Sequence, residues 1–223
     1  MSATSTATAT RRDAPLLVRG AVPADYPAIG EVVAAACARY ADLMPPGIFS
    51  AYLADLLDLE THARRGRLLA AEVDEQVRGF AVFYPVAPVR GFGLPHEWAS
   101  GRALAVHPAA RGHAIARAML AACEYLARQA AAPVLVFHPP SIMTDAIALY
   151  ERLGYTRAPE FDFDVASRFG QPGAVPIGSI AYLRHLTRTE RSPAVHDAHS
   201  VTHAGGSMST HARDRGVARR LGQ

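Results

Sequence analysis

The run GRALAVHPAARGHAIARAML, residues 101–120, passes from an apolar strand-like stretch through a basic turn of small residues straight into a helical pattern. This junction constrains the fold more than any other segment. Ile115, Met119, Ala122 and Leu126 recur on one side of a helix expected over 112–131, with Arg117, Glu124 and Arg128 on the other. A helix N-terminus leaves up to about four backbone N–H groups without partners and carries roughly half a positive charge. With a guanidinium beside it, such an end is a phosphate site. Arg111 offers the fork, Gly112 permits an unusual backbone turn, and Ala114 and Ala116 are small enough for a ligand to approach the main chain. The same residues also suit a plain helix start after an Arg-Gly turn. The three glycines of a dinucleotide fingerprint are missing, as is the Gly-Lys-Ser/Thr of a P-loop.

The rest of the chain repeats this alternation. LLVRGAV (16–22) reads as a strand. A helix follows, entered near Asp25 and marked by Ile29, Val32, Val33, Cys37 and Tyr40. MPPG breaks it, and a second helix carries Ile48, Tyr52, Leu53, Leu56, Leu57 and Leu59. RLLAAEV (67–73) and VRGFAVFYPV (77–86) form a hairpin across Asp74-Glu75-Gln76. A Pro/Gly loop leads to a strand over 98–106, and PVLVFHP (133–139) is a short buried strand. Residues 143–153 read as a helix stopped by Gly154, and 179–186 as the last strand. The pattern predicts an α/β (α+β) domain, a mixed central sheet flanked by helices on both faces.

Composition separates three parts. Residues 1–14 are Ser/Thr/Ala-rich and expected to be disordered, and 15–188 hold the domain. Residues 189–223 are rich in His, Arg, Ser and Gly and too poor in large hydrophobes to order themselves. The loose His spacing there does not suit a metal site, and none is expected. No apolar run reaches the length of a membrane span. Cys37 and Cys123, among alanines, read as buried thiols in a reducing compartment, so a cytoplasmic location is expected. The chain has no lysine, and its net charge of +3 fits an anionic ligand without demanding nucleic acid.

LAVHPAARGHAIARAML resembles the acyl-CoA-binding signature of the GNAT N-acetyltransferase superfamily, Arg/Gln-x-x-Gly-x-Gly/Ala, here Arg111-Gly112-His113-Ala114-Ile115-Ala116. AIALYERLGY (146–155) is similar to that superfamily's small-x-x-LYE-x-x-Gly-Phe/Tyr segment, and VRGAVPADYPAI to its first strand and helix. The resemblance covers roughly 16–187 and implies a GNAT-type sheet with acetyl-CoA as co-substrate. It implies that the backbone of Leu104, Ala105 and Val106 follows the pantetheine arm, and that the amides of residues 111–116 cradle the pyrophosphate. It also implies that Tyr150 lies near the thioester sulfur as general acid. On its own, outside that motif, Tyr150 reads first as a core aromatic with a tied hydroxyl.

The sequence departs from the family's pattern at three points. Ala114 stands where a glycine is usual, and its methyl crowds the turn. Met143 stands where many members carry Asn. Ser100 occupies the usual place of a base, which leaves Glu97 as the expected base, with a water relay as the alternative. The resulting expectation is an enzyme moving an acetyl group from acetyl-CoA to a small-molecule or peptide amine, with no metal, nucleic-acid or membrane partner. The resemblance also allows a homodimer. The alternative is a catalytically weak acyl-CoA-binding or regulatory module. Acceptor choice is assigned to the loops at 43–64 and 87–97.

Overall fold

The computed structural model describes residues 15–87, 93–173 and 177–187. The tails at 1–14 and 189–223, and the middle of the 87–97 loop, lie outside the described residues. In chain order the elements are β1 (Leu17–Gly20), α1 (Tyr26–Cys37), α2 (Pro46–Leu57), α3 (Leu59–Arg65), β2 (Arg67–Val73), β3 (Gln76–Tyr84) and β4 (Ala99–Val106), then α4 (Ile115–Gln129), β5 (Val134–Phe137), α5 (Thr144–Arg152), β6 (Thr156–Arg157), β7 (Phe163–Asp164), β8 (Gly178–Ser179) and β9 (Tyr182–His185). Seven strands form one sheet in the order β1-β2-β3-β4-β5-β9-β6, and β7 and β8 make a separate ribbon. Every neighbouring pair in the main sheet is antiparallel except β4 and β5.

The sheet is buried on both faces, which is why RLLAAEV is apolar almost throughout rather than alternating. Leu69, Ala71, Ala81 and Phe83 meet Ile115, Met119 and Leu120 of α4. Leu68, Phe80 and Val82 meet Ile29, Val32 and Val33 of α1 on the opposite side. Each of these large side chains contributes about 1.5–3 kcal/mol on burial. At Gly79 a Cβ would lie 2.5 Å from Ile115 Cγ2, so only glycine lets α4 sit this close to β3.

Several boundaries differ from the sequence reading for local reasons. The hairpin turn has two residues, not three: Asp74 and Glu75 both have positive φ (51° and 60°), and Gln76 already pairs with Val73. This matches the primed turns that suit strand twist. Asp25 puts no side-chain bond into α1; its carboxylate takes the Val22 N–H at 2.8 Å and both terminal nitrogens of Arg19 at 2.7 and 2.9 Å. Arg19 thereby holds the Asp25 carboxyl below the ordinary carboxylate range. The strand expected over 179–186 splits, with Ser179 pairing to β7 and Tyr182–His185 joining the main sheet. The helix expected from 112 begins at Ile115, because Gly112 and Ala114 both have positive φ.

One irregularity opens the centre of the molecule. Phe80 pairs with Ala105 and Val82 with Arg102, so two steps along β3 face three along β4. The extra residue is a bulge at Ala103, whose φ is 56°. β4 pairs with β5 only over Ala99–Leu135, Ser100–Val136 and Gly101–Phe137, yet β4 continues to Val106. Beyond Gly101 the two strands part and a cavity lies between them.

Candidate active site

The cavity encloses about 580 Å³ and has two chemically different ends. At one end, Leu104, Ala105 and Val106 present the stretch of β4 that β5 does not cover, followed by Arg111, Gly112, Ala114, Ile115 and Ala116. Residues 111–114 are exposed. The N-cap of α4 is Ala114, which has no side-chain cap bond, so the amides of the first turn point outward without an acceptor inside the helix. Arg111 and Arg117 both line this end. His113 is in the turn but not in the lining: its Nδ1–H donates to the Ala110 carbonyl at 3.1 Å. An anionic diphosphate fits this arrangement of free amides and guanidiniums.

Ala114 has φ 57° and ψ 12°, a left-handed conformation that costs an L-residue about 1–2 kcal/mol. Ala114→Gly relieves that strain and removes the crowding methyl, partly offset by glycine's greater unfolded-state freedom. The expected result is unchanged or slightly raised stability in urea melts and tighter CoA binding by calorimetry. An unchanged Kd would place the methyl away from the ligand.

Tyr150 stands on α5 at the centre of an aromatic group. Its ring stacks on Phe137 (centroids 5.3 Å, 28°) and Tyr182 (5.8 Å, 27°), with Tyr155 tilted at 5.4 Å. Gly101 makes room for this group, since a Cβ there would lie 2.0 Å from the Phe137 ring. The Tyr155 hydroxyl donates to Glu124 at 3.1 Å and that of Tyr182 to Glu151 at 2.8 Å. The Tyr150 hydroxyl has no such partner among the described residues, and Tyr150 lines the cavity. Burial, with smaller contributions from Cys123 and Tyr52, pushes its pKa far above that of an ordinary phenol. It therefore stays protonated at any physiological pH.

The other end of the cavity is built from Ser100 and Arg102 of β4, Tyr52 of α2, His138 just past β5, and Arg168 of the 3-10 turn Ala166–Phe169. Ser100 is buried and its Oγ has no partner among the described residues. Arg102 and Arg168 both pair with Asp55 of α2. His138 Nε2–H donates to the Phe161 carbonyl at 3.2 Å, and burial lowers its pKa to about 4, leaving a neutral imidazole. Cys37 also lines the cavity, with burial raising its thiol to about 11; Cys123 is buried in the core, and both are free. Among the described residues no His, Cys, Asp and Glu cluster could hold a metal, and no helix is long and apolar enough to cross a membrane.

The structure thus gathers Leu104, Ala105, Val106, Arg111, Gly112, Ala114, Ile115, Ala116 and Tyr150 around one cavity, with His113 adjacent but turned back. Glu97 is not brought there: it lies in an exposed turn before β4 and outside the lining. Sequence reasoning missed Arg102, Arg168, Asp55 and His138. Arg102 has a visible signal, two positions after Ser100 on an alternating strand. Arg168 and Asp55 have none, because a tertiary contact alone joins them.

Solved structures with this fold are numerous. An acetyltransferase of the GNAT family from Desulfovibrio desulfuricans is 19% identical with a TM-score of 0.56, over 78% of this chain and 100% of that one. The yncA acetyltransferase from Salmonella typhimurium, solved with acetyl-CoA, is 22% identical with a TM-score of 0.52, over 80% of this chain and 98% of its own. The ribosomal-protein-alanine N-acetyltransferase from Brucella melitensis is 23% identical with a TM-score of 0.53, over 76% and 99%. No curated protein matches. The family model for the GNAT acetyltransferases matches residues 30–155, from within α1 through the strand-to-helix turn to the LYERLGY segment. The chain belongs to the acetyltransferase (GNAT) family.

Proposed function

We propose that the protein is an acetyl-CoA-dependent N-acetyltransferase acting on an amine by direct attack, with Tyr150 as general acid. One observation carries this reading: the uncapped start of α4 and Tyr150, whose hydroxyl has no partner among the described residues, line the same cavity. Acetyl-CoA, when bound, supplies a thioester-activated acetyl group. The amides of residues 111–116, with Arg111 and Arg117, would hold its diphosphate, and the uncovered edge of Leu104 to Val106 would hold the extended arm.

The protein's own groups then have three tasks. The acceptor must reach the thioester carbon as a neutral amine, although a free alkylamine has a pKa of about 10.4. Glu97 stands off the cavity, so the amine proton is proposed to leave through water at the acceptor end. A backbone N–H near Val106 would stabilise the oxyanion that develops. As the C–N bond forms and the C–S bond breaks, the Tyr150 hydroxyl gives its proton to the departing sulfur and regains one from solvent. The products are an N-acetylated amine and the free thiol.

The absence, among the described residues, of a cavity carboxylate near Ser100 favours one competing reading, a module that binds acyl-CoA without turning it over. Calorimetry with acetyl-CoA and thiol release across an amine panel separate the two. Binding with amine-dependent thiol release is expected. Binding without release from any amine would establish the module, and no binding would end both readings.

A further inference from the structure

Building on the acetyltransferase reading, we infer that the acceptor is a small amine that also carries a carboxylate, bound through Arg102 and Arg168, with its amine received by Ser100. Ser100 and Arg102 lie two residues apart on β4, opposite Tyr84 and Val82 of β3, so both face the same side of the sheet. Same-face neighbours on a strand are roughly 6.5–7 Å apart, a span that fits the two polar ends of an amino acid once each side chain reaches toward it. The Arg102 guanidinium pairs with Asp55, and Arg168 reaches the same carboxylate oxygen at 3.5 Å. Both arginines line the cavity and Asp55 does not, so the carboxylate backs the pair while two cations face the ligand. Their side chains are only 18% and 20% exposed, which leaves little water to compete with an anion. The Arg102 guanidinium has five N–H donors, more than one carboxylate uses.

The alternatives fit less well. The described carboxylate in the lining is Asp145, at the other end and paired with Arg39 at 2.5 Å, so a polyamine would meet like charge where its second amine has to lie. Arg102 and Arg168 both approach Asp55 Oδ2, so this corner already accommodates one carboxylate, and a phosphate, which guanidiniums also take, is set against it in the test. Leu56, Phe163 and Val165 complete this end and suit an apolar acceptor side chain. Ser100 is 6% exposed with a hydroxyl that lacks a partner among the described residues, and an amine N–H can donate to it.

The test uses the full chain with acetyl-CoA and matched acceptors: leucine, leucinamide, isopentylamine and phosphoethanolamine. Rates are compared after correction for the fraction of neutral amine. Leucine is expected to exceed leucinamide and isopentylamine at least tenfold in kcat/KM. Arg102→Gln should erase that ratio while leaving CoA binding intact, and Arg102→Lys, which keeps the charge and the Asp55 pair but not the fork, should restore part of it. Ser100→Ala should lower kcat/KM for leucine. Leucinamide or isopentylamine matching leucine, phosphoethanolamine exceeding it, or a ratio that survives both Arg102→Gln and Arg168→Gln would overturn the inference. If acetyl-CoA binds but none of these acceptors reacts, calorimetry of N-acetylleucine against N-acetylleucinamide on the CoA complex decides: equal binding overturns the carboxylate clamp and leaves the acetyltransferase reading standing. Failure to bind acetyl-CoA overturns both.

Discussion

Tyr150→Phe is expected to bind CoA as the parent does and to lose at least a hundredfold in kcat, within the roughly 10²–10⁴-fold that a positioned proton donor supplies. Phenylalanine preserves the stack on Phe137 and Tyr182, so the cavity wall stays in place. Because the hydroxyl has no protein partner among the described residues, its removal leaves no buried acceptor unmatched, and the unfolding free energy should change by less than about 1 kcal/mol. Tyr182→Phe and Tyr155→Phe are the informative controls: each removes a bond to a glutamate and should lower stability more than activity. Tyr52 also lines the cavity near Tyr150, and Tyr52→Phe tests whether the effect is specific to one phenol. Burial keeps the Tyr150 proton in place, so the alkaline side of the pH–rate profile should not bend on its account; the acidic side should follow deprotonation of the amine. A kcat within threefold of the parent in Tyr150→Phe would remove Tyr150 from the chemistry.

Stability should fall steeply as the pH drops from about 7 to about 4, and His138 is expected to be the largest single cause. Its folded pKa is about 4, lowered by burial, which outweighs the opposing bond to the Phe161 carbonyl and the Asp162 charge. In the unfolded chain it returns to about 6.5. Above that value both states are neutral and the residue contributes no pH dependence. Below it the unfolded chain takes up a proton that the folded protein refuses, so folding loses free energy down to pH 4, up to about 3 kcal/mol in all. His62 is lowered in the same direction by burial: its Nε2–H donates to the Asp55 carbonyl at 2.8 Å, and its Nδ1 accepts from the Tyr84 hydroxyl at 2.6 Å. The carboxyls held low, Asp25, Asp58 and Asp164, act at still lower pH, where they are protonated and their stabilising bonds are lost. Urea melts at stepped pH values should therefore show a smaller slope between pH 7 and 4 in His138→Gln, with the His62 share remaining. An unchanged slope would show that His138 titrates normally in the folded state.

Much of the fold could be read from the sequence because apolar spacing reports burial directly. Ile115, Met119 and Leu126 marked the inner face of α4, and the short apolar run PVLVFHP marked the buried β5. The strand-to-helix turn was legible from Gly112 and from its likeness to the family's signature, although α4 begins three residues after the expected start. What stayed hidden depends on backbone states that side chains do not announce. Ala103 and Ala114 both take positive φ, and alanine carries no signal for it. Glu97 enters as a base only because Ser100 holds the usual place; β4 begins at Ala99, which leaves Glu97 in an exposed turn. The pairing of Asp55 with Arg102 and Arg168 joins three distant segments that only packing brings together.

The three residue pairs that join β4 to β5 have a mechanical meaning. On one side of that seam stand four strands and on the other three, each group well paired within itself. The bulge at Ala103 turns what would have been a continuous sheet into two plates riveted at one edge, with an interior row of backbone groups left for a guest strand. Any extended molecule that fills the row completes the sheet from within. The two plates are also tied across the gap by α4, whose Ile115, Met119 and Leu126 share one core with Leu69 and Phe83 of the first plate and Leu135 and Phe137 of the second.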